Sequence, residues 1–213
     1  MSTAREDILG RIRSSLSDHP APPEPVRAYR RKGNLNAEQT LEMLVDRLVD
    51  YKANVYYATE ETISEQIDEL LQNASRYVVP SGINEAWLPA DTARRSRIFD
   101  AGNIKKAGTL SLKELDSVNA VITSSTVSCA ETGTIFLNTN PDEGRRAITL
   151  VPDHHICVVK ESTVVELIPQ AIERISYERP VTMISGPSAT SDIELIRVEG
   201  VHGPRILDVI ILK

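Results

Sequence analysis

The sequence predicts an α/β fold: a mostly parallel sheet flanked by helices, with an added β-hairpin. Three observations lead there. Between residues 36 and 124, short apolar runs alternate with amphipathic segments, the order that builds parallel strands joined by crossover helices. The alternation then stops, and TIFLN (134–138) and RAITLV (146–151) flank TNPDEGR, a turn signal that suits a hairpin better than a crossover helix. The chain has 213 residues, 41% hydrophobic and 25% charged, which is enough apolar material for a full core.

Taken in order, residues 2–17 place Ile8, Leu9, Ile12 and Leu16 at helical spacing with charges opposite. The next stretch, DHPAPPEP, carries Pro20, Pro22, Pro23 and Pro25 and reads as an extended linker. Residues 1–26 therefore form a tethered helix ahead of a main domain at 27–213. That helix cannot bury its stripe alone and is expected to dock on the main domain or on a partner chain. Residues 36–52 put Leu41, Leu44, Val45, Leu48 and Val49 on one face, with Asn34 or Asn36 as N-cap. NVYYAT (54–59) is a short strand, and Thr59 can cap a helix containing Ile63, Ile67, Leu70 and Leu71. RYVVP (76–80) is a second strand, followed by Ser81-Gly82 and a short helical piece through Trp87.

SRIFD (96–100) and NAVITS (119–124) are further strands, with a helical turn near 112–115 between them. After the hairpin, HICVVK (155–160) leaves the Pro152-Asp153 turn as a strand. A helix runs through Ala171, Ile172 and Ile175, with Pro169 tolerated near its first turn. VTMIS (181–185) and ILDVIIL (206–212) complete the strands.

Composition also excludes function classes. A formal net charge of −6 argues against nucleic acid as a partner, and the basic clusters VRAYRRK and ARRSR read as solvated surface. No apolar run approaches the roughly 20 residues a membrane span needs, and MSTAREDILGRIRSSL carries charges unlike a secretory signal. Cys129 and Cys157 form no CxxC pair or Cys/His cluster, so no metal, iron–sulfur cluster or other cofactor is expected on this chain. Two thiols suit a reducing compartment, and a cytoplasmic location is expected.

Three stretches could carry chemistry. In VSCAETGTIFL, Glu131 sits between apolar runs, followed by Thr132, Gly133 and Thr134. A carboxylate taken from water without partners costs several kcal/mol, so Glu131 faces a solvated cleft or is paired inside. It is the candidate catalytic residue, and its small neighbours leave backbone accessible to a ligand; the alternative is an exposed turn residue bonding local amides. In ISGPSATSDIE, a strand runs through a Gly-Pro turn into a helix start, and such a junction offers amides to an anion. Gly186, Ser188 and Thr190 are the candidates there, while Ser191 and Glu194 have capping-box spacing.

In VHGPR, His202 titrates near neutrality and Arg205 can fork onto a carboxylate or phosphate. His154 and His155 open a strand and point to opposite faces, so they read as structural; Cys129 reads as an inert buried thiol. Ligands in open α/β sheets gather outside the carboxyl ends of the strands.

CAETGTIFLNTNPDEGRRAITLVPDHHICVV, ISGPSATSDIELIRVEGVHGPRILDVIIL and the amphipathic N-terminal lead together resemble the LUD-domain proteins, in particular the lactate utilization protein C (LutC/YkgG) family. The resemblance implies a fold similar to the NagB/RpiA/CoA-transferase group. It also implies a part in oxidising L-lactate to pyruvate, as the cluster-free component of a three-part system with iron–sulfur partner proteins. A small anionic metabolite would be its ligand. Class I CoA transferases of related fold use a glutamate in a Ser-Glu-Asn-Gly loop, to which Ala130-Glu131-Thr132-Gly133 is similar with Thr132 in place of Asn. Two other functions stay open: a stand-alone enzyme acting through Glu131 on a small acyl-CoA or phosphorylated metabolite, and a non-catalytic scaffold for the iron–sulfur partners.

Overall fold

A computed structural model describes residues 3–18, 21, 23–102, 108–190, 198–199 and 203–213. Helix α1 (Ala4–Ser15) starts at a capping box in which the Thr3 hydroxyl accepts the Glu6 N–H and Glu6 accepts the Thr3 N–H. No residue of α1 is buried, and Ile8, Ile12 and Leu16 stay 59%, 50% and 53% exposed, so its stripe is not docked on the main domain.

Helix α2 (Ala37–Asp50) begins at Asn36, whose side chain and that of Gln39 cap each other's backbone N–H. Next come β1 (Asn54–Ala58), α3 (Ile63–Leu70), β2 (Arg76–Pro80), β3 (Ser96–Asp100), α4 (Leu112–Asp116) and β4 (Ala120–Thr123). Thr62 rather than Thr59 takes the cap position of α3, because the Thr59 hydroxyl turns to Glu61 at 2.5 Å. Then follow β5 (Val127–Cys129), β6 (Thr134–Leu137), β7 (His154–Lys160), β8 (Val164–Val165), α5 (Ile168–Ile172) and β9 (Thr182–Ile184). The chain ends with β10 (Ala189–Thr190), β11 (Val198–Glu199) and β12 (Ile206–Leu212).

Six strands form one all-parallel sheet in the order β1-β12-β7-β4-β2-β3. Period-two burial on β12 shows why both faces must be covered. Ile210 and Leu212 pack with Ile63 and Ile67 of α3 on one side. Val209 and Ile211 pack with Leu44 and Leu48 of α2 on the other. That second face also receives a small sheet, ordered β8-β5-β6-β9, through Ala130, Ile135 and Leu137. The architecture is the mostly parallel, helix-flanked sheet that the alternation predicts.

The hairpin is built from other residues than the turn signal suggests. It joins β5 to β6, with Val127 opposite Phe136 and Cys129 opposite Thr134. RAITLV instead folds into a single helical turn at Arg146–Thr149, and Ile148 drops into a cluster with Val78, Leu115 and Val121. The reason lies just upstream, where the buried Glu143 carboxylate accepts the N–H groups of Asn138 and Asn140 and the Thr126 hydroxyl. Gly144 then turns the chain at φ +71°. A short apolar run does not by itself distinguish a strand from such a turn. Among the described residues no helix is long and apolar enough to cross a membrane.

Candidate functional site

The three motif stretches meet. The Thr134 and Ser185 hydroxyls lie 2.9 Å apart, joining the AETGT turn to the loop after β9. The Ser188 N–H donates to the Pro204 carbonyl at 2.8 Å, joining that loop to the one before β12. Gly186, buried at φ +85°, takes the left-handed conformation this path needs. Beneath these loops is a cavity of about 130 Å³. Its apolar wall is Met183, Ile184 and Leu207; the loops contribute Ser185, Gly186 and Ser188. Arg146, Thr149 and His155 complete it. His155 and Leu207 are register partners one residue into β7 and β12, so the cavity opens over one face near the amino ends of these strands, not outside their carboxyl ends. The small sheet lying on that face moves the loops there.

Arg146 supplies the charge. Its Nη1 donates to the Thr149 carbonyl at 3.2 Å and hydroxyl at 3.1 Å, and no carboxylate among the described residues pairs with it. Burial lowers its pKa below the ordinary value. His155 is 1% exposed, with Nε2 2.8 Å from the Thr123 hydroxyl. Burial first, then the nearby His154 and Arg146, push its pKa down to about 3, so the imidazole is neutral. The cavity thus presents one cation, a neutral ring and several hydroxyls, a set complementary to a small anion. Behind the ring, burial drives the Cys157 thiol up to about 12, and Cys129 is also buried and free. His154 faces the other side of the sheet, 2.7 Å from Asp208. Among the described residues no three His, Cys, Asp or Glu side chains group as a metal site.

Glu131 lies elsewhere. Its Oε1 accepts from Arg30 Nη2 at 2.5 Å, both side chains are about half exposed (49% and 53%), and its N–H donates to the Glu166 carbonyl. The Glu166 carboxylate accepts the Leu35 N–H at 2.9 Å, and Glu173 pairs with Arg31 at 3.1 Å. Three acids of the small-sheet side therefore fasten residues 30–35, which accounts for a carboxylate at that turn. Its small neighbours have a packing cause as well. Gly133 sits at φ +58°, and a Cβ there would fall 2.7 Å from Arg47 Cβ. The Thr132 hydroxyl lies 2.8 Å from that of Thr134, one step further from the cavity.

Arg205 pairs with Asp153, Nε to Oδ1 at 3.1 Å, with both side chains about 60% exposed. Neither Glu131 nor Arg205 lines the cavity, whereas Gly186 and Ser188 do. Thr190 sits in β10, opposite Val198. His202, Ser191 and Glu194 lie outside the described residues. Sequence reasoning missed Arg146 and Thr149, whose i, i+3 spacing was hidden by reading 146–151 as a strand, and it set His155 aside as structural.

Comparison with known proteins agrees with this architecture. A solved structure, a crystal structure of a DUF162 family protein from Deinococcus radiodurans, superposes with TM-score 0.71 at 36% identity, covering 84% of this chain and all of that one. Lactate utilization protein C of Deinococcus radiodurans is 40% identical over 194 residues, 89% of this chain and 87% of the relative. Lactate utilization protein C of Bacillus subtilis is 37% identical over 105 residues, 46% of this chain and 43% of the relative. The LUD domain family model matches residues 41–212, from α2 through the last strand. The chain belongs to the LUD domain family.

Proposed function

We propose that this protein is the cluster-free component of L-lactate utilization, holding a small anion in the cavity beside Arg146 while iron–sulfur partner proteins carry the electrons. The observation that carries the reading is an arginine lining a small, partly open cavity, without a carboxylate partner among the described residues, where Ser185, Gly186 and Ser188 converge. The relatives named lactate utilization protein C supply the pathway.

Size narrows the ligand. A cavity near 150 Å³ in another protein holds benzene, roughly six non-hydrogen atoms. At about 130 Å³ this one suits L-lactate or pyruvate, and is too small to enclose a whole CoA ester or a sugar phosphate. Arg146 would take the carboxylate as a charge-assisted pair. The hydroxyls of Thr149, Ser185 and Ser188 and the neutral His155 ring would read the oxygen at carbon two, and Met183, Ile184 and Leu207 would cover the methyl group. Thr134 holds Ser185, and Pro204 holds Ser188. Thr132 and Gly133 belong to the turn that places Thr134, and Arg205 follows the Pro204 carbonyl that holds Ser188. Deleting the gene should abolish growth on L-lactate as sole carbon source, with rescue by the wild-type chain and not by Arg146→Gln. Undiminished growth of the deletion strain, with no paralogue present, defeats the reading.

The exposed stripe of α1 favours an added recruiting role. A capped helix with Ile8, Ile12 and Leu16 in solvent, on a proline-rich tether, fits a groove on an iron–sulfur partner. Removing residues 1–26 should end co-purification with those partners; unchanged association rules the helix out as recruiter.

A further inference from the structure

The carboxyl rim of the parallel sheet, which the cavity beside Arg146 leaves unused, holds a second and larger recess. It opens where β2 and β3 end, at Pro80, Ser81 and Asp100, and its other wall is Thr139, Asn140 and Arg179. Its volume is about 390 Å³, three times that of the first cavity and within the range of small-molecule sites.

The walls are held rigidly. Asp100, fully buried, accepts the N–H groups of Gly102 and Leu110 and two guanidinium nitrogens of Arg145. Those bonds outweigh the penalty of burial and keep its carboxyl below the ordinary range. On the opposite wall Glu143, 1% exposed, clamps Asn138, Asn140 and Thr126. The two walls touch at Gly82, whose N–H donates to the Pro141 carbonyl and where a Cβ would fall 2.5 Å from Pro141 Cβ.

Thr139 is strained. It is β-branched yet sits at φ +54°, a conformation costing on the order of 1–3 kcal/mol, and its hydroxyl is tied to the Pro180 carbonyl at 2.9 Å. That bond fixes the backbone next to Arg179, whose Nη1 donates to Asn140 Oδ1 at 2.6 Å. No carboxylate among the described residues pairs with Arg179, so the rest of its guanidinium edge is available to an anion.

We infer that this recess is a second ligand site, taking the phosphate monoester of a small metabolite with its phosphoryl group on Arg179 and Ser81. A phosphoryl group offers three acceptor oxygens and two negative charges, and can take donors from the Arg179 and Ser81 loops at once. The site is independent of the cavity beside Arg146, and the test separates them. Titrations of the full chain with inorganic phosphate and with glycerol 3-phosphate, followed by calorimetry, should show saturable binding, tighter for the ester. Arg179→Gln should weaken binding about ten- to a hundredfold and Ser81→Ala less, both on folded protein, while Arg146→Gln leaves it unchanged. The inference is overturned by no saturation up to roughly 10 mM ester. It is equally overturned if Arg179→Gln binds like wild type, or if Arg146→Gln removes the binding.

Discussion

Arg146→Met separates a ligand-binding arginine from a structural one. The guanidinium lines the cavity and donates to the Thr149 carbonyl and hydroxyl. A hydrogen bond to a charged group is worth about 1.5–3 kcal/mol, so losing the one to a bound carboxylate should weaken L-lactate binding about ten- to 150-fold. Stability should respond otherwise. Methionine is of similar length and apolar, and on this partly exposed side chain it gives up the two bonds to Thr149. The loss should be about 1 kcal/mol, or about 2–4 °C in Tm for a chain of this size. Calorimetric titration with L-lactate and a thermal melt on the same preparation read both. Affinity within twofold of wild type refutes the role in binding. A Tm loss beyond about 8 °C shows instead that Arg146 mainly holds the fold.

Three further outcomes follow from the geometry. Glu131→Gln breaks a pair whose members are both about half exposed, so it should cost no more than about 1 kcal/mol and preserve growth on L-lactate. Loss of growth with folded protein would return Glu131 to the chemistry. Gly133→Ala puts a side chain at φ +58° and 2.7 Å from Arg47 Cβ, which should lower stability by at least about 2 kcal/mol; an unchanged melting temperature contradicts this.

The last concerns pH. His155 titrates near 6.5 when unfolded and near 3 when folded. Between those values the unfolded chain binds the extra proton, so His155 takes stability away as pH falls through this window. His155→Phe should flatten the decline in Tm between pH 6.5 and 4, whatever its effect at neutral pH. An equally steep decline would show that other groups set it.

The parallel sheet was legible because its strands are short apolar runs punctuated by Pro, Gly and Asn; SRIFD, RYVVP and ILDVIIL occupy β3, β2 and β12 without shift. The motif loops lie together, Thr134 against Ser185 and Ser188 against Pro204, but near the amino ends of β7 and β12 and without Glu131 or Arg205. The roles of individual charges were not legible. Glu131 is paired with a residue 101 positions away in the chain, and no local pattern announces Arg30 as its partner. Arg146 was hidden because a four-residue helical turn carries too little periodicity to stand out from a strand. Glu143 reads as part of a solvated turn, yet two local N–H groups and the Thr126 hydroxyl, 17 residues away, draw it inside.

The central claim is that the anion sits against Arg146 under the loops of Ser185–Ser188 and Pro204. A crystal structure of the chain with L-lactate tests it most directly. The account predicts the carboxylate at about 2.7–2.9 Å from the Arg146 guanidinium, with the methyl group toward Leu207. Lactate bound at Glu131 or Arg205, with the space beside Arg146 left to solvent, would contradict it.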